Sequence, residues 1–563
     1  MSRSLAYTVY GATAVFFAAF FWWPIWQVLR GGFMDADGLT FAYFAEVFRN
    51  PLYLEGLRNS FGVAIFTTLL ATLIAVPLAF VADRYVFPGR KLMMGMVLLP
   101  IMLPPFVGAI GVKQIFGQYG AVNAALQAVG ILGEGQVIDW LGRGQFWGVV
   151  ILSALSLYPI LYLNALASLA SIDRAMEESA ENLGARGFKR FFTITLPLMR
   201  PGLFAGCTIV FIWSFTELGV PLIFDYTRLT SVQIFYGIAD MGGSPFPYAL
   251  VGVMLGFSVL FYAIGKGLFG RNTFAMMAKA GHVAEPKETG KAGQLVCLLL
   301  FATVNGLALL PHLGVVLIAF ASDWYGTLLP DAFTLRNFDL ALGHPLTALS
   351  IQNSLFFAGV ATVLNLVLGV AIAFIVVRTR LPGRHALDTM AMLPLAVPGL
   401  VLAFGYLAMS QEGRLFSFLN AVENPTVLLI VAYAVRKLPF VVRAAVAGLQ
   451  STSETYEEAA QNLGAPPMKT ALRITLPLIF ANLVAGGILA FSQSMLEVSD
   501  SLILAQKMEY YPITKAIYIL MQFIGDGRFI ASALGVWAMT FLALTIIGAS
   551  LLLGRKLGAV FRI

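Results

Sequence analysis

Charged side chains set inside long apolar runs are the reactive feature of this sequence. Glu217 and Glu497 occupy equivalent places in two such runs, each after a Phe and a Ser (Phe211 and Ser214; Phe491 and Ser494), and Asp500 lies one turn beyond Glu497. Arg436, Lys437 and Arg443 sit in a third run, opposite the uncharged Ser156, Leu157 and Leu163 of an earlier one. An isolated charge at mid-bilayer is costly, so these groups should face the bundle interior, water or one another. Two roles fit them: interhelical ion pairing, or contact with a charged solute that passes through. Covalent chemistry has no candidates, because there is no His-Glu-x-x-His pattern and no nucleophile elbow, and no catalytic residue is assigned. The histidines (His282, His312, His344, His385) are scattered without metal-ligand spacing and read as loop or helix-end residues. No metal site is expected.

A second constellation is written twice. Glu177-Glu178-Ser179-Ala180-Glu181-Asn182-Leu183-Gly184 runs on to Ile194-Thr195-Leu196-Pro197. Glu457-Glu458-Ala459-Ala460-Gln461-Asn462-Leu463-Gly464 runs on to Ile474-Thr475-Leu476-Pro477, in register with the first at an offset of 280. Strong helix formers with leading carboxylates predict a short helix in each, since acidic groups favour the positive end of a helix. The glycine ends it, and a second short helical stretch follows up to the proline, where the next span begins. A simple reconnection of two spans could be far shorter, so each loop is expected to touch something outside the membrane.

The elements that carry these groups follow from composition. With 59% hydrophobic and 12% charged residues, the chain holds more apolar surface than a globular core of its length could bury, which predicts a polytopic membrane protein. The net charge of +7 then reflects cations kept on one side of a bilayer, and no nucleic-acid partner is expected. Cys207 and Cys297 lie in apolar runs and read as reduced packing residues. Runs of spanning length fall at Tyr7–Leu29, Ser60–Ala82, Leu92–Val112, Phe146–Leu169, Leu203–Phe224 and Tyr248–Phe269. After a polar linker, six more fall at Leu295–Ala321, Ser354–Val377, Met390–Ala408, Val427–Leu449, Leu483–Leu504 and Phe529–Leu553.

The fold class is therefore all-α, about twelve transmembrane helices in two six-helix halves: 1–270, a linker 271–293 and 294–563. The loops 173–200 and 451–480 fall between the fourth and fifth spans of each. Asn59-Ser60, Pro88-Gly89-Arg90, Leu99-Pro100 and Pro104 match Asn353-Ser354, Pro382-Gly383-Arg384, Leu393-Pro394 and Pro398 at an offset of 294. An even number of spans per half makes the repeat parallel, with a pseudo-twofold axis along the membrane normal. With the amino terminus inside, the inner segments hold about twice as many Lys and Arg as the outer ones, which puts both termini, the linker and both Glu-rich loops in the cytoplasm. The outer loops Gly31–Asn59, Lys113–Gln145, Asp225–Pro247 and Ser322–Asn353 are long enough to carry short helices.

The spacing Glu178-Ser179-Ala180, Gly184, Ile194-x-Leu196-Pro197, repeated as Glu458-Ala459-Ala460, Gly464, Ile474-x-Leu476-Pro477, resembles the EAA loop of binding-protein-dependent ABC importer permeases. The first copy departs from that pattern only in Ser179 for Ala. The fused two-half layout resembles the ferric-iron branch, which also includes fused permeases for thiamine and 2-aminoethylphosphonate. The resemblance implies two methionine-permease-like halves, and loops in which Glu177, Glu178, Ala180, Gly184, Glu457, Glu458, Ala460 and Gly464 couple to ATPase subunits. It implies two copies of an ABC ATPase, a periplasmic or lipid-anchored solute-binding protein, and a bacterial inner-membrane location. The chain has no phosphate-binding loop, so it is expected to bind no cofactor, with ATP and Mg held by the partner subunits. Glu217, Glu497, Asp500, Arg436 and Arg443 are then pathway candidates. Iron(III) is the implied solute. A cationic cluster would instead suit an anion such as a phosphonate, and thiamine is a further alternative. A secondary transporter would need an intramembrane ion site, usually built from inverted repeats, whereas this repeat is parallel.

Overall fold

The computed structural model describes residues 3–35, 38–102, 104–133, 135–141, 145–238, 241, 244–277 and 287–553. The linker residues Lys279, His282, Glu285 and Pro286, and the cationic tail with Arg555, Lys556 and Arg562, lie outside the described residues. The described chain is almost wholly helical, its strands being two-residue pairs.

All twelve expected apolar runs are helical. Among the described residues eight are helical stretches long and apolar enough to cross a membrane: Ala6–Phe33, Pro51–Arg84, Phe146–Ala170, Gly187–Ile223 (with a short break after Phe215), Phe246–Gly265, Lys291–Phe320, Pro345–Arg378 and Gly527–Gly548. Three more are bent pairs, and the twelfth is Thr426–Ser451, the helix that carries Arg436, Lys437 and Arg443. The third span of each half is not one straight helix. Arg90–Ile101 turns by 96° into Pro105–Ala128, and Arg384–Leu395 by 97° into Gly399–Met409. The cause is local: in the first copy Pro105 holds Pro104 extended and opens the new helix, and in the second an extended Pro398, which lacks a backbone donor, immediately precedes the helix that starts at Gly399.

The expected stop before the fifth span is also revised. In the first half the arm beyond Gly184 runs without a bend from Gly187 through Pro197. A π-turn at Phe191–Thr195 shifts the ladder so that the Leu196 N–H reaches the Phe191 carbonyl one residue ahead of Pro197. The second half has the same π-turn, Ala471–Thr475, but bends by 74° between Leu478 and Phe480; nothing in the structure explains that difference. Each expected outer loop carries one short helix: Ala42–Arg49, Ala121–Ala128, Thr230–Gly237 and Arg336–Gly343.

The chain forms two compact units. One comprises 48–233 and 256–337. In it Pro51–Arg84 packs along Phe146–Ala170 and Leu196–Phe215, and Lys291–Phe320 lies against Pro105–Phe116. Ala71, Ala75, Ala79 and Ala82 form a small-residue stripe against Tyr158, Leu161 and Ala165, which lets the backbones approach. The other unit comprises 1–47, 234–255 and the described residues from Phe338 onward. There Pro345–Arg378 packs along Thr426–Ser451 and Phe480–Met495, and Trp23–Phe33 lies against Gly399–Met409. The first helix of each sequence half is thus gathered into the compact unit of the other half. Close backbone approaches repeat as well. A Cβ on Gly111 would meet the Pro311 carbonyl oxygen at 1.9 Å, and one on its repeat mate Gly405 would meet that of Pro24 at 2.7 Å.

Candidate functional sites: paired loops and a buried charge cluster

The first loop opens with the helix Arg174–Asn182, capped by the Asp173 side chain, which accepts from the Ala175 N–H at 3.0 Å. Its partner is Thr455–Asn462. Both end alike: the Ala185 N–H reaches back to the Ala180 carbonyl (2.9 Å) and the Ala465 N–H to that of Ala460 (3.0 Å). Between them Gly184 and Gly464 each adopt φ +86°. A Cβ there would meet nothing, so the left-handed backbone alone requires glycine.

Adjacent glutamates point opposite ways. Glu177 is buried, 2.7 Å from the Arg84 guanidinium, and accepts a hydrogen bond from the Thr195 hydroxyl at 2.6 Å. Glu457 is likewise buried and accepts from Arg378 Nε at 3.0 Å. Arg84 and Arg378 are the last residues of the two Pro51–Arg84 and Pro345–Arg378 helices, so each loop is fastened to the end of the second span of its own half. Ala180 and Ala460 are buried beneath the loops, whereas Glu178 and Glu458 are exposed. The loop tips are apolar and bare: Leu183 is 89% exposed and Leu463 90%, with Phe188, Met176, Tyr456 and Met468 also exposed. The sequence reading grouped both glutamates of each pair and missed Arg84 and Arg378. Their signal was their common offset of 294 directly after an apolar run.

The second site lies at the break that ends the fifth span. Leu196–Phe215 and Phe480–Met495 stop just before Glu217 and Glu497, and short helices, Gly219–Ile223 and Ser499–Leu504, resume beyond them. The backbone carbonyl of each glutamate accepts from a hydroxyl further on, Ser231 for Glu217 (2.6 Å) and Thr514 for Glu497 (2.8 Å). The side chains then differ. Glu217 accepts from the Val220 N–H at 3.2 Å, capping the next helix. Glu497 is bound by both Arg436 and Lys437, the latter at 2.8 Å, and Arg436 also reaches Asp500 at 3.1 Å. All four groups of this cluster are buried or nearly so, and the charges balance. The Tyr433 and Ser501 hydroxyls share a 2.7 Å hydrogen bond beside it.

Arg443 is not brought to this cluster. It is half-exposed, 3.5 Å from Asp388, with its Nε 3.2 Å from the Met392 sulfur. The balance of charge also removes the inference that the cationic residues of this span, taken alone, suit an anion. His312 departs from its reading too, being buried within Lys291–Phe320 and not at a helix end. Among the described residues no group of three or more His, Cys, Asp or Glu could hold a metal ion, and Cys207 and Cys297 are free thiols.

Two copies of one set of apolar helices, each with a glutamate-anchored loop after its fourth span, form a membrane permease subunit. The chain belongs to the family described as binding-protein-dependent transport system inner membrane component, which matches residues 71–274 and again 365–553. It is 27% identical over 519 residues to the ferric transport system permease protein FbpB of Actinobacillus pleuropneumoniae, covering 88% of this chain and 69% of the relative. It is 24% identical over 465 residues to the Fe(3+)-transport system permease protein FbpB 2 of Haemophilus influenzae, covering 82% and 83%. A shorter match, 31% identical over 193 residues, is to the spermidine/putrescine transport system permease protein PotB of Haemophilus influenzae, covering 33% of this chain and 66% of the relative. The protein is thus a multi-pass inner-membrane ABC importer permease that resembles the ferric branch.

Proposed function

We propose that this chain forms the solute pathway of an ATP-driven iron(III) importer and couples it to two copies of an ATPase through the loops 173–200 and 451–480. The observation that carries the coupling is the shared geometry of the loops: a buried glutamate anchored to the end of the second span, and beyond it an exposed glutamate and a bare leucine. Two identical knobs suit two identical sockets. Because Glu177 joins its helix both to Arg84 and, through Thr195, to the start of the fifth span, a push on the knob moves both spans together. ATP and Mg belong to the ATPase subunits, and a solute-binding protein, periplasmic or lipid-anchored, delivers the cargo. Iron(III) is supported by the ferric relatives that span most of the chain. The two sequence halves, 1–270 and 294–563, with the linker 271–293, supply one knob each. Glu217, Glu497, Asp500 and Arg436 flank the pathway at the fifth-span breaks.

Charge reversal at Glu178 and Glu458 together is expected to abolish radioactive iron uptake and cargo-stimulated ATP hydrolysis while the chain still inserts. Normal transport by the double variant overturns the coupling reading. Uptake of molybdate or spermidine but not iron overturns the solute. Both termini and the linker are placed in the cytoplasm, so a cysteine replacing Lys287 is expected to be shielded from an impermeant thiol reagent in intact cells, and one replacing Thr227, exposed in the outer loop 225–247, to react. The opposite labelling reverses the orientation.

A further inference from the structure

Lys515 is a buried cation that the reading above does not use. It lies in the helix Ile513–Met521, which follows the fifth-span break of the second half, and is 8% exposed. Its ammonium donates to the Leu502 carbonyl at 2.9 Å, and the rings of Phe235 and Tyr511 lie 5.8 and 5.6 Å away. Among the described residues no carboxylate pairs with it, and burial alone pushes it down to about 8.

The repeat shows what this position needs for folding. The Thr230 N–H donates to the Ser60 hydroxyl as the Ile513 N–H does to that of Ser354, and the next residues, Ser231 and Thr514, bind the carbonyls of Glu217 and Glu497. One step further the first half has Val232, fully buried, where the second has Lys515. An apolar side chain therefore fills the place adequately, and the charge is extra. Contacts to two rings return less than an ammonium loses when buried without a counter-ion. Leu502, its acceptor, lies on the same short helix as Asp500. The charges of that neighbouring cluster cancel among themselves, so Lys515 is left with two free N–H donors and uncompensated charge.

We propose that Lys515 is an anion-binding residue of the transport pathway, which takes a small oxyanion such as a phosphate or carboxylate group that travels with the solute. This rests on the importer reading and narrows it: the cargo passes this point in anionic or anion-accompanied form.

The test titrates the purified full-length permease with inorganic phosphate at constant ionic strength and follows thermal unfolding. The wild-type chain is expected to unfold several degrees later at saturating phosphate. Lys515→Val, which copies the first half, should lose the shift, as should Lys515→Gln, and Lys515→Arg should keep it. No shift in the wild type, or an equal shift in Lys515→Val and Lys515→Gln, overturns the proposal. Uptake of iron(III) delivered by the binding protein into vesicles then separates the sources of the anion. If the group belongs to the solute, Lys515→Val lowers uptake about tenfold in phosphate-free medium. If it is free phosphate, wild-type uptake rises with added phosphate and that of the variant does not. Failure of the wild type to take up iron under any condition, with the phosphate shift intact, counts against iron and not against the anion site.

Discussion

Glu177→Gln and Glu178→Gln are adjacent changes in one helix, and the structure separates their consequences. Glu177 and Arg84 form a pair whose side chains are only 7% and 10% exposed. Removing one partner of a buried pair leaves the other charge uncompensated, at about 3–5 kcal/mol. Asp83 lies 3.2 Å from Arg84 Nε and supplies a substitute partner, so the lower end, about 3 kcal/mol, is expected for Glu177→Gln. Glu178 is exposed, and its replacement should stay within about 0.5 kcal/mol. Thermal unfolding of the solubilised protein reads stability, and hydrolysis by the reconstituted complex reads coupling. Glu177→Gln should lower both, and Glu178→Lys only the second. Adding Arg84→Met to Glu177→Gln removes the stranded cation, and the double variant should be more stable than the sum of the single changes by about 0.5–3 kcal/mol. The same set at Arg378 and Glu457 is an internal replicate. Equal loss of stability from Glu177→Gln and Glu178→Gln, or strict additivity in the cycle, would refute the anchoring role.

Gly111→Ala and Gly405→Ala should each destabilise the protein by about 1–3 kcal/mol through overpacking against Pro311 and Pro24, with Gly111 the worse. Gly359→Ala, where an added Cβ meets nothing within 4 Å, is the control and should be neutral or slightly stabilising in the same unfolding assay. Arg443→Gln breaks a half-exposed 3.5 Å contact to Asp388 and a contact to the Met392 sulfur and should cost under about 1 kcal/mol, whereas Arg436→Gln strands Asp500, leaves Glu497 with Lys437 alone and should reduce the yield of folded protein. Lys515 should produce a pH-dependent difference between wild type and Lys515→Val. Its ammonium is pushed down to about 8 in the folded chain from 10.5, so the unfolded chain binds more protons between those values. The charged form is penalised below pH 8 and the penalty, about 3 kcal/mol, fades as pH rises toward 10.5. Melting curves of the two forms should therefore converge over that range, and a constant gap would contradict the assignment.

The helical class, the duplication and the loops were legible because each rests on local pattern: apolar runs of spanning length, glycine at a helix end, carboxylates at a helix start. What could not be read depended on partners distant in the chain. Glu177 and Glu178 are equivalent as helix formers, and only Arg84, far away in sequence, decides which of them is buried. The prolines at 104, 105 and 398 account for the breaks in the third spans, but no local pattern in the sequence sets turns of 96° and 97°. Gly111 and Gly405 shared the repeat offset without any polar signal to single them out. Their role follows from the first helix of each half packing in the other half's compact unit, which hydropathy does not encode. Arg436 and Arg443, two turns apart on one helix, were grouped by composition; one meets two carboxylates and the other lies near Asp388.

The two copies differ least in the loops and most at the fifth-span break. In the loops the anchor, the left-handed glycine and the bare leucine recur with nearly equal geometry. At the fifth-span break the backbone is equally preserved, down to the hydroxyl that binds each glutamate carbonyl, yet one glutamate caps a helix while the other holds two cations. A permease of two identical chains would be obliged to repeat any such charge on both sides of its axis. Fusion into one chain lifts that obligation, so one copy can carry Arg436, Lys437 and Lys515 where the other has Ser156, Leu157 and Val232. If both ATPase sockets are the same, the loops have no freedom to diverge. The break has that freedom, and its divergence is the physical reason to look there, and not at the loops, for what the transporter selects.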